Sequence, residues 1–205
     1  MRNGLLAVID VDKAIHGVGQ DSIVRIIASG CSPVRAVETA DGRHLFAAAR
    51  GKNTYLPIEP DTSGYEVLVF DVSTLVSDHP NDALVGHGDS GGTAPVGMAL
   101  FRNDDSLLAV ANSNRFYYNC ECTVPRPPHE GCLVPPGTPP CTANVAILDV
   151  SNRAAPTVQQ RIRNAPNAFP RNVTLGPDGS TLYVPNANAE MLEVITTNVG
   201  SQKPH

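Results

Sequence analysis

The chain has 205 residues, of which 17 are glycine and 18 are proline, while only 17% are charged. This composition disfavours a helical bundle, and the ordinary apolar content disfavours disorder. The net charge of −5 and the lack of a lysine- and arginine-rich block argue against a nucleic-acid or anionic-membrane surface, and no apolar run is long enough to span a membrane.

Three copies of one sequence phrase organise the chain. Each copy has a short apolar run, an Asp-Gly or Asp-Asp pair and a second apolar run. This pattern is typical of a β-hairpin, because glycine tolerates the positive φ that tight turns require. The copies span residues 33–49, 95–112 and 170–186.

A second phrase, apolar at consecutive positions, precedes the first copy and follows every copy. Such runs predict strands that are buried on both faces. A weaker strand follows most of them, and no window of about 11 residues has helical spacing. In chain order, these further strands are predicted at residues 7–12, 23–27, 68–73, 83–85, 146–151, 157–162 and 192–197.

The repeating unit is therefore four antiparallel strands, A to D, and the predicted fold class is an all-β β-propeller built of four-stranded blades. A β-sandwich is the competing all-β fold, but sandwiches usually lack so literal a repeat. We expect one partial propeller over residues 1–205. Its parts are strands C and D of a first blade (1–32), a second blade (33–94), a third blade (95–169) with an insertion at 113–142, and strands A to C of a last blade (170–205).

These parts add up to about 13 strands, which is little more than three blades. Closed propellers typically have about four to eight blades, and open ends would expose unpaired strand edges. The sequence therefore predicts that missing blades or a partner chain complete the ring.

The third copy carries a family resemblance. It reads Pro-Arg-Asn-Val-Thr-Leu-Gly-Pro-Asp-Gly-Ser-Thr-Leu-Tyr-Val-Pro-Asn, and it resembles the YVTN repeat of lactonase-like seven-bladed propellers. The first two copies lack the proline that precedes Asp-Gly in the third. In the second copy, Asp104 and Asp105 stand in place of the Asp-Gly pair. The resemblance implies the fold. It carries no lactonase catalytic residue to this chain, because the matched positions are structural.

Strand order predicts where a functional site lies. In an antiparallel blade the D-to-A and B-to-C connections share one face, which receives the long insertions 50–64 and 113–142 and the glycine-rich segment 86–92. Loops on a rigid scaffold commonly carry binding and catalysis. Loop variation without any ligand is the alternative.

The candidate ligand-binding residues on this face include side chains that could act as a base. They also include cations that could stabilise a developing oxyanion. The alternative is that the arginines are solvated blade-edge residues and that the asparagines satisfy turn backbone. The candidates are Arg35, His87, Asp89, Asn112, Arg171 and Asn186.

Residues 88–92, Gly-Asp-Ser-Gly-Gly, spell the nucleophile motif of chymotrypsin-like serine proteases. That chemistry also needs a histidine and a buried aspartate in a matching context. No upstream histidine has such a context, so we interpret the segment as a glycine-rich turn into strand A.

Four cysteines share the proline-rich insertion. Disulfides would staple so long a loop, and would place the protein outside the cytosol in the periplasm or the medium. A zinc site and free thiols stay open as alternatives, although the spacing matches no common zinc pairing. The four are Cys120, Cys122, Cys132 and Cys141, and Cys31 is left over at the start of a strand A.

Two functions follow from this sequence. The first is a non-catalytic binding or interaction scaffold, whose small-molecule or protein partner occupies the face with the D-to-A and B-to-C loops. The second, which depends on the resemblance, is a lactonase-like hydrolase of a small cyclic ester with arginine and histidine at the channel mouth. No cofactor or metal is predicted for either function.

Overall fold

The computed structural model describes residues 4–17, 19–50, 65–92, 94–101, 104–113, 145–164, 168–187 and 189–197. Within these ranges the chain forms 13 strands. In chain order the strands are β1 (Leu5–Ile9), β2 (Ile23–Ala28), β3 (Pro33–Glu38), β4 (His44–Ala49), β5 (Glu66–Asp71), β6 (Leu84–Asp89), β7 (Pro95–Phe101), β8 (Asp104–Asn112), β9 (Val145–Asp149), β10 (Thr157–Ile162), β11 (Thr174–Leu175), β12 (Thr181–Asn186) and β13 (Met191–Thr196).

The strands form four sheets, in each of which the spatial order equals the chain order. Sheet 1 contains β1 and β2, sheet 2 contains β3 to β6, sheet 3 contains β7 to β10, and sheet 4 contains β11 to β13. All neighbouring strands are antiparallel. The predicted all-β class and four-stranded antiparallel unit are confirmed.

Short helices occupy the connections from strand C to strand D in sheets 1 and 2. They are α1 (Val11–Ile15), α2 (Val72–Leu75) and two 3₁₀ turns at Gly19–Ser22 and Pro80–Ala83. The predicted strands 7–12 and 68–73 were therefore too long, because their last residues begin helices. Aspartate marks each change of structure: Asp10 accepts a hydrogen bond from the amide of Lys13, and Asp71 accepts one from that of Thr74.

The sequence pattern does not reveal these helices, because they have only four or five residues, too few to show the helical period of 3.6 residues. None of the helices in the described part of the chain is long and apolar enough to cross a membrane.

Apolar side chains fill the space between each pair of successive sheets. We call the face of a sheet that points toward the next sheet in the chain its forward face, and the other its backward face. Val67 and Val69 of β5 point forward and join the core with sheet 3, whereas Leu68 and Phe70 point backward and join the core with sheet 1. A third core lies between sheets 3 and 4 and includes Ile147 of β9. The central strands are thus buried on both faces, as predicted.

Glycines allow the sheets to approach closely. A Cβ atom on Gly97 of β7 would lie 2.6 Å from the Cα of Asn172, next to sheet 4. On β6, a Cβ on Gly86 would lie 2.2 Å from the carbonyl oxygen of Arg153, and one on Gly88 equally close to that of Pro156. These glycines therefore mark contacts between backbones of neighbouring sheets.

The A-to-B and C-to-D turns lie together at one end of the sheets, which we call the turn face. Gly42 and Gly179 have φ angles of 69° and 73°, as the Asp-Gly pairs predict. Both turns are wider than a two-residue hairpin, because Thr39 bonds to His44 across four intervening residues and Gly176 bonds to Thr181 in the same way.

Carboxylates on the turn face accept several hydrogen bonds each. The hydroxyls of Ser73 and Thr74 and the amide of Thr74 lower the pKa of Asp71 to about 2. The hydroxyl of Thr181 and the amides of Thr181 and Ser180 lower the pKa of Asp178 to about 2 as well. Bonds to an ionised carboxylate stabilise its charged form, so these aspartates hold the turns together in their charged state.

Acid should therefore weaken the fold through these turns. Because the pKa values are about 2 in the folded chain and 3.8 in the reference state, the stabilisation is complete above about pH 4 and is lost as the pH falls toward 2. Between pH 5 and pH 2.5, the melting temperature should fall less in the double variant Asp71→Asn/Asp178→Asn than in the parent chain. Circular dichroism melts at both pH values measure this, with Asp82→Asn as an exposed control. Equal losses in the parent and the double variant would refute the role of these turns.

Candidate functional site

The opposite end of the sheets, which we call the loop face, carries the D-to-A and B-to-C connections. In sheet 2, Pro33, Ala49, Glu66 and Asp89 are paired in one row at this end. The predicted face is therefore a single end of the sheet. The insertions 50–64 and 113–142 leave from it but fall almost entirely outside the described residues, as do Cys120, Cys122, Cys132 and Cys141.

Asn112, at the end of β8, ties down the connection between sheets 2 and 3. Its Nδ2 donates to the carbonyl oxygen of Ser90 at 3.0 Å, and its Oδ1 lies 2.9 Å from the Ser90 hydroxyl. That hydroxyl also lies 2.9 Å from the carbonyl oxygen of Gly92. Both side chains are buried, so the asparagine fixes the path of the backbone.

The buried position of Ser90 determines how the Gly-Asp-Ser-Gly-Gly motif is interpreted. A nucleophilic serine must face substrate and a histidine base, whereas the Ser90 hydroxyl is fully buried and faces Asn112 and Gly92. From the next sheet, the Nε of Arg161 donates to the carbonyl oxygen of Gly91 at 2.9 Å. The segment is a hydrogen-bonded turn between sheets.

Asn186 occupies the corresponding end of β12 and faces a carboxylate. Its Nδ2 donates to Oε2 of Glu193 at 2.7 Å, and Nδ2 of Asn164 donates to the same oxygen at 2.6 Å. Asn186 is buried, and its Oδ1 has no hydrogen-bond partner among the described residues. This cluster joins the end of sheet 3 to sheet 4, as Ser90 and Asn112 join sheets 2 and 3.

Glu193 and Asn164 were not among the sequence candidates. A signal for Glu193 does exist, because the strand register aligns it with Leu68 of β5 and Ala146 of β9. A carboxylate at a position that is apolar in the other repeats requires a polar partner when it is partly buried. No comparable pattern marks Asn164.

Arg35 and His87 lie far apart on sheet 2. Arg35 is on β3 and pairs through Ala48 and Val67 with Gly88 of β6, so His87 is one residue out of that row. Three strand spacings separate β3 from β6, roughly 14 Å. Because successive side chains alternate between faces, Arg35 points forward and His87 points backward.

The predicted loop 86–92 is in part a strand, since β6 continues to Asp89. His87 is exposed, and its Nδ1 lies 3.7 Å from Oε1 of Glu66. Asp89 is exposed as well and accepts a hydrogen bond from the amide of Gly91 at 2.5 Å. Both residues sit at the last strand of the sheet, at the edge away from β3.

Arg171 lies at the start of sheet 4 and is exposed. Its guanidinium carbon is 5.3 Å from the centre of the Phe169 ring, a cation–π contact, and its amide bonds to the carbonyl oxygen of Pro185. Sheet 3 separates it from Arg35. Cys31 is a half-buried free thiol in the connection between sheets 1 and 2.

The first strands of successive sheets converge. β7 contacts both β3 and β11, and these contacts are more extensive than those between the last strands β6 and β10. The sheets are therefore arranged as an arc, and their first strands line its inner edge. This arrangement places Arg35 on the inner edge and His87 on the outer edge. The described side chains thus bring Asn112 to Ser90 and Asn186 to Glu193, but place Arg35 and His87 on opposite edges of sheet 2.

Comparison with known proteins identifies the architecture. No protein-family model and no curated protein matches the chain. Among solved structures, the chain is similar to the periplasmic gluconolactonase of Pseudomonas aeruginosa, with a TM-score of 0.54, 18% identity, and coverage of 85% of this chain and 41% of that one. It is also similar to hydrazine synthase of Kuenenia stuttgartiensis, with a TM-score of 0.59, 16% identity, and coverage of 96% and 53%.

A third similar structure is the C-terminal WD40 domain of Sif2, with a TM-score of 0.51, 9% identity, and coverage of 85% of this chain and 36% of that one. The fold is propeller-like. The chain spans between 36% and 53% of the length of these three solved chains. At such low identities the likeness concerns the fold alone, and it links this chain equally to lactonase and WD40 structures.

The tie between Asn112 and Ser90 should contribute measurably to stability. Asn112→Ala leaves the carbonyl oxygen of Ser90 without its side-chain donor in a buried site, which costs about 1–3 kcal/mol. We expect the midpoint of urea unfolding to fall while the slope stays unchanged. Asn81→Ala, at an exposed position, is the matched control. An unchanged midpoint in Asn112→Ala would show that the tie is not structural.

Proposed function

We propose that the protein is a non-catalytic propeller scaffold that binds a small molecule or a protein partner on its loop face. The main support is that buried polar side chains at this face form hydrogen bonds to the backbone of the connections. Asn112 and Ser90 are buried and bonded to backbone, which gives the loops a rigid base. Rigid elements that present variable loops are a common basis for recognition.

The separation of the ionisable candidates favours binding over catalysis. A general acid or base must lie within hydrogen-bond reach of the proton that it transfers, so two groups that act on one substrate must lie close together. Arg35 and His87 lie on opposite edges and opposite faces of sheet 2, and the aspartates with pKa values of about 2 lie at the turn face. The separation of Arg35 from His87 therefore supports a binding surface over a catalytic site that both of these residues share.

The resemblance of residues 170–186 to the YVTN repeat leads us to propose membership of that lactonase-like propeller family. The similarity to a periplasmic gluconolactonase is compatible with this and with a location outside the cytosol. Disulfides among Cys120, Cys122, Cys132 and Cys141 would suit the same location.

Lactonase-like hydrolysis of a small cyclic ester is the alternative function. It is favoured by the gluconolactonase neighbour and by Arg35, an exposed cation on the inner edge. A cation in that place could stabilise the oxyanion that forms when a lactone carbonyl is attacked.

Lactone turnover separates the two functions. With purified protein and glucono-1,5-lactone, the scaffold proposal predicts a hydrolysis rate equal to the uncatalysed rate, and no change in Arg35→Ala, His87→Ala or Arg171→Ala. Val76→Ala, an exposed position at the turn face, is the control. Turnover above background that falls about 100-fold or more in Arg35→Ala, the typical effect of losing an oxyanion-stabilising group, would refute the scaffold proposal and support the hydrolase.

A further inference from the structure

The three copies of the hairpin phrase end at equivalent positions on the loop face. In each copy, the last residue lies opposite the proline at which the copy begins. The pairs are Pro33 with Ala49, Pro95 with Asn112, and Pro170 with Asn186. The last residues of the three copies are therefore structural equivalents.

The two asparagines use their side-chain amides differently. Both polar atoms of Asn112 contact Ser90, since Nδ2 donates to the carbonyl oxygen and Oδ1 lies 2.9 Å from the hydroxyl. The Nδ2 of Asn186 donates to Oε2 of Glu193 instead, and its Oδ1 has no hydrogen-bond partner among the described residues. Because Asn186 is only 2% exposed, bulk solvent does not replace that partner. A buried acceptor without a donor is costly and requires an explanation.

The carboxylate of Glu193 fixes the orientation of the Asn186 amide. Exchanging the two ends of the amide would set Oδ1 against Oε2 of Glu193, and two acceptors repel each other. Nδ2 therefore faces the carboxylate, and Oδ1 faces away from Oε2. The donor that Oδ1 lacks must come from another group.

The interface between sheets 3 and 4 departs from the other two interfaces in two respects. Ser90 directly follows β6, whereas the residue that directly follows β10 is Arg163, which is exposed and has no hydroxyl. Glu193 is the second departure, because its equivalents Leu68 and Ala146 are apolar and lie beside glycines of the connections. Acceptor groups thus stand here where the other interfaces have packing and a hydroxyl.

The acceptors lie close to one another and near solvent. One planar amide carries both Nδ2 and Oδ1 of Asn186, so Oδ1 lies roughly 4–5 Å from Oε2 of Glu193. Glu193 and Asn164, which also donates to Oε2, are half-buried. The connection from β12 to β13 has only the four residues 187–190. A small molecule can therefore approach this cluster from the loop face.

We infer that the cluster of Asn164, Asn186 and Glu193 binds the primary ammonium group of a small-molecule amine. An ammonium group has three N–H donors and no acceptor, so one donor satisfies Oδ1 of Asn186 while the charge of Glu193 attracts the cation. A neutral hydroxyl gains no such attraction, and an anion is repelled. The inference rests on the proposed function, because it names the class of ligand that the loop face binds.

Nuclear magnetic resonance titration of the isotope-labelled 205-residue chain with propylammonium chloride tests the inference. The side-chain amide signals of Asn186 and the backbone amides of β12 and β13 should shift and saturate. Two matched probes separate the components of recognition. n-Propanol keeps the length but lacks the charge, and tetramethylammonium keeps the charge but lacks N–H donors, so both should bind more weakly than propylammonium.

Two alanine variants test the contacts. The equivalents of Asn186 and Glu193 in other sheets include Ala49 and Ala146, so Asn186→Ala and Glu193→Ala should both fold, as circular dichroism verifies. Each should weaken propylammonium binding about tenfold or more, the typical contribution of a hydrogen bond to a charged group. Asn81→Ala, at an exposed position outside the cluster, should bind like the parent chain.

Three results would overturn the inference. Equal binding in the parent chain and both cluster variants would place the amine elsewhere. Equal binding of n-propanol or tetramethylammonium would show that the cluster does not recognise an ammonium group. The lack of any saturable shift would also refute the inference, but it would leave the scaffold proposal intact, since lactone turnover that depends on Arg35 is the result that refutes the scaffold.

Discussion

The burial of apolar sheet faces against one another is the interaction on which the rest of this structure depends. Sheets 2 and 3 bury both of their faces against neighbouring sheets, and an isolated two-stranded sheet such as sheet 1 is marginally stable at best. Burial of both faces of a strand requires apolar residues at consecutive positions, which in this sequence are mainly valine, leucine, isoleucine and alanine. The same requirement explains why Ile9 of sheet 1 and Val194 of sheet 4 are more than half exposed, since no described sheet packs against that side of either strand.

The repeat was sufficient to predict the strands from sequence, because each copy places an apolar run in the same relation to an Asp-Gly turn. Helices α1 and α2 were missed since four or five residues show no period, although Asp10 and Asp71 stand at the N-cap position of each. The glycines of β6 were misinterpreted. Gly86 and Gly88 indicated a loop, whereas the structure uses them to bring the backbone of residues 153–156 against the strand. A glycine in a strand can mark a close approach as well as a turn.

The candidate site was harder to predict, because its geometry depends on the sheet rather than on the spacing along the chain. Arg35 and His87 were grouped on the assumption that His87 lies in a loop, and the continuation of β6 to Asp89 separates them. The polar partners of Asn112 and Asn186 are set by contacts between sheets, which only the register reveals. The long insertions leave from the loop face but lie almost entirely outside the described residues, and the propeller-like scaffold itself is shared by proteins as different as a gluconolactonase and a WD40 domain.

Amide hydrogen exchange tests most directly whether coverage of the faces stabilises the sheets. Exchange reports local opening, which is rare where both faces are buried. The amides of β4, β5, β8 and β9 should exchange slowly, because both faces of these strands are buried. Those of β1, β2, β12 and β13, which have one face without a described sheet against it, should exchange rapidly. If β1 and β2 exchange as slowly as β5 while their backward face is uncovered, burial between sheets is not what holds this chain together.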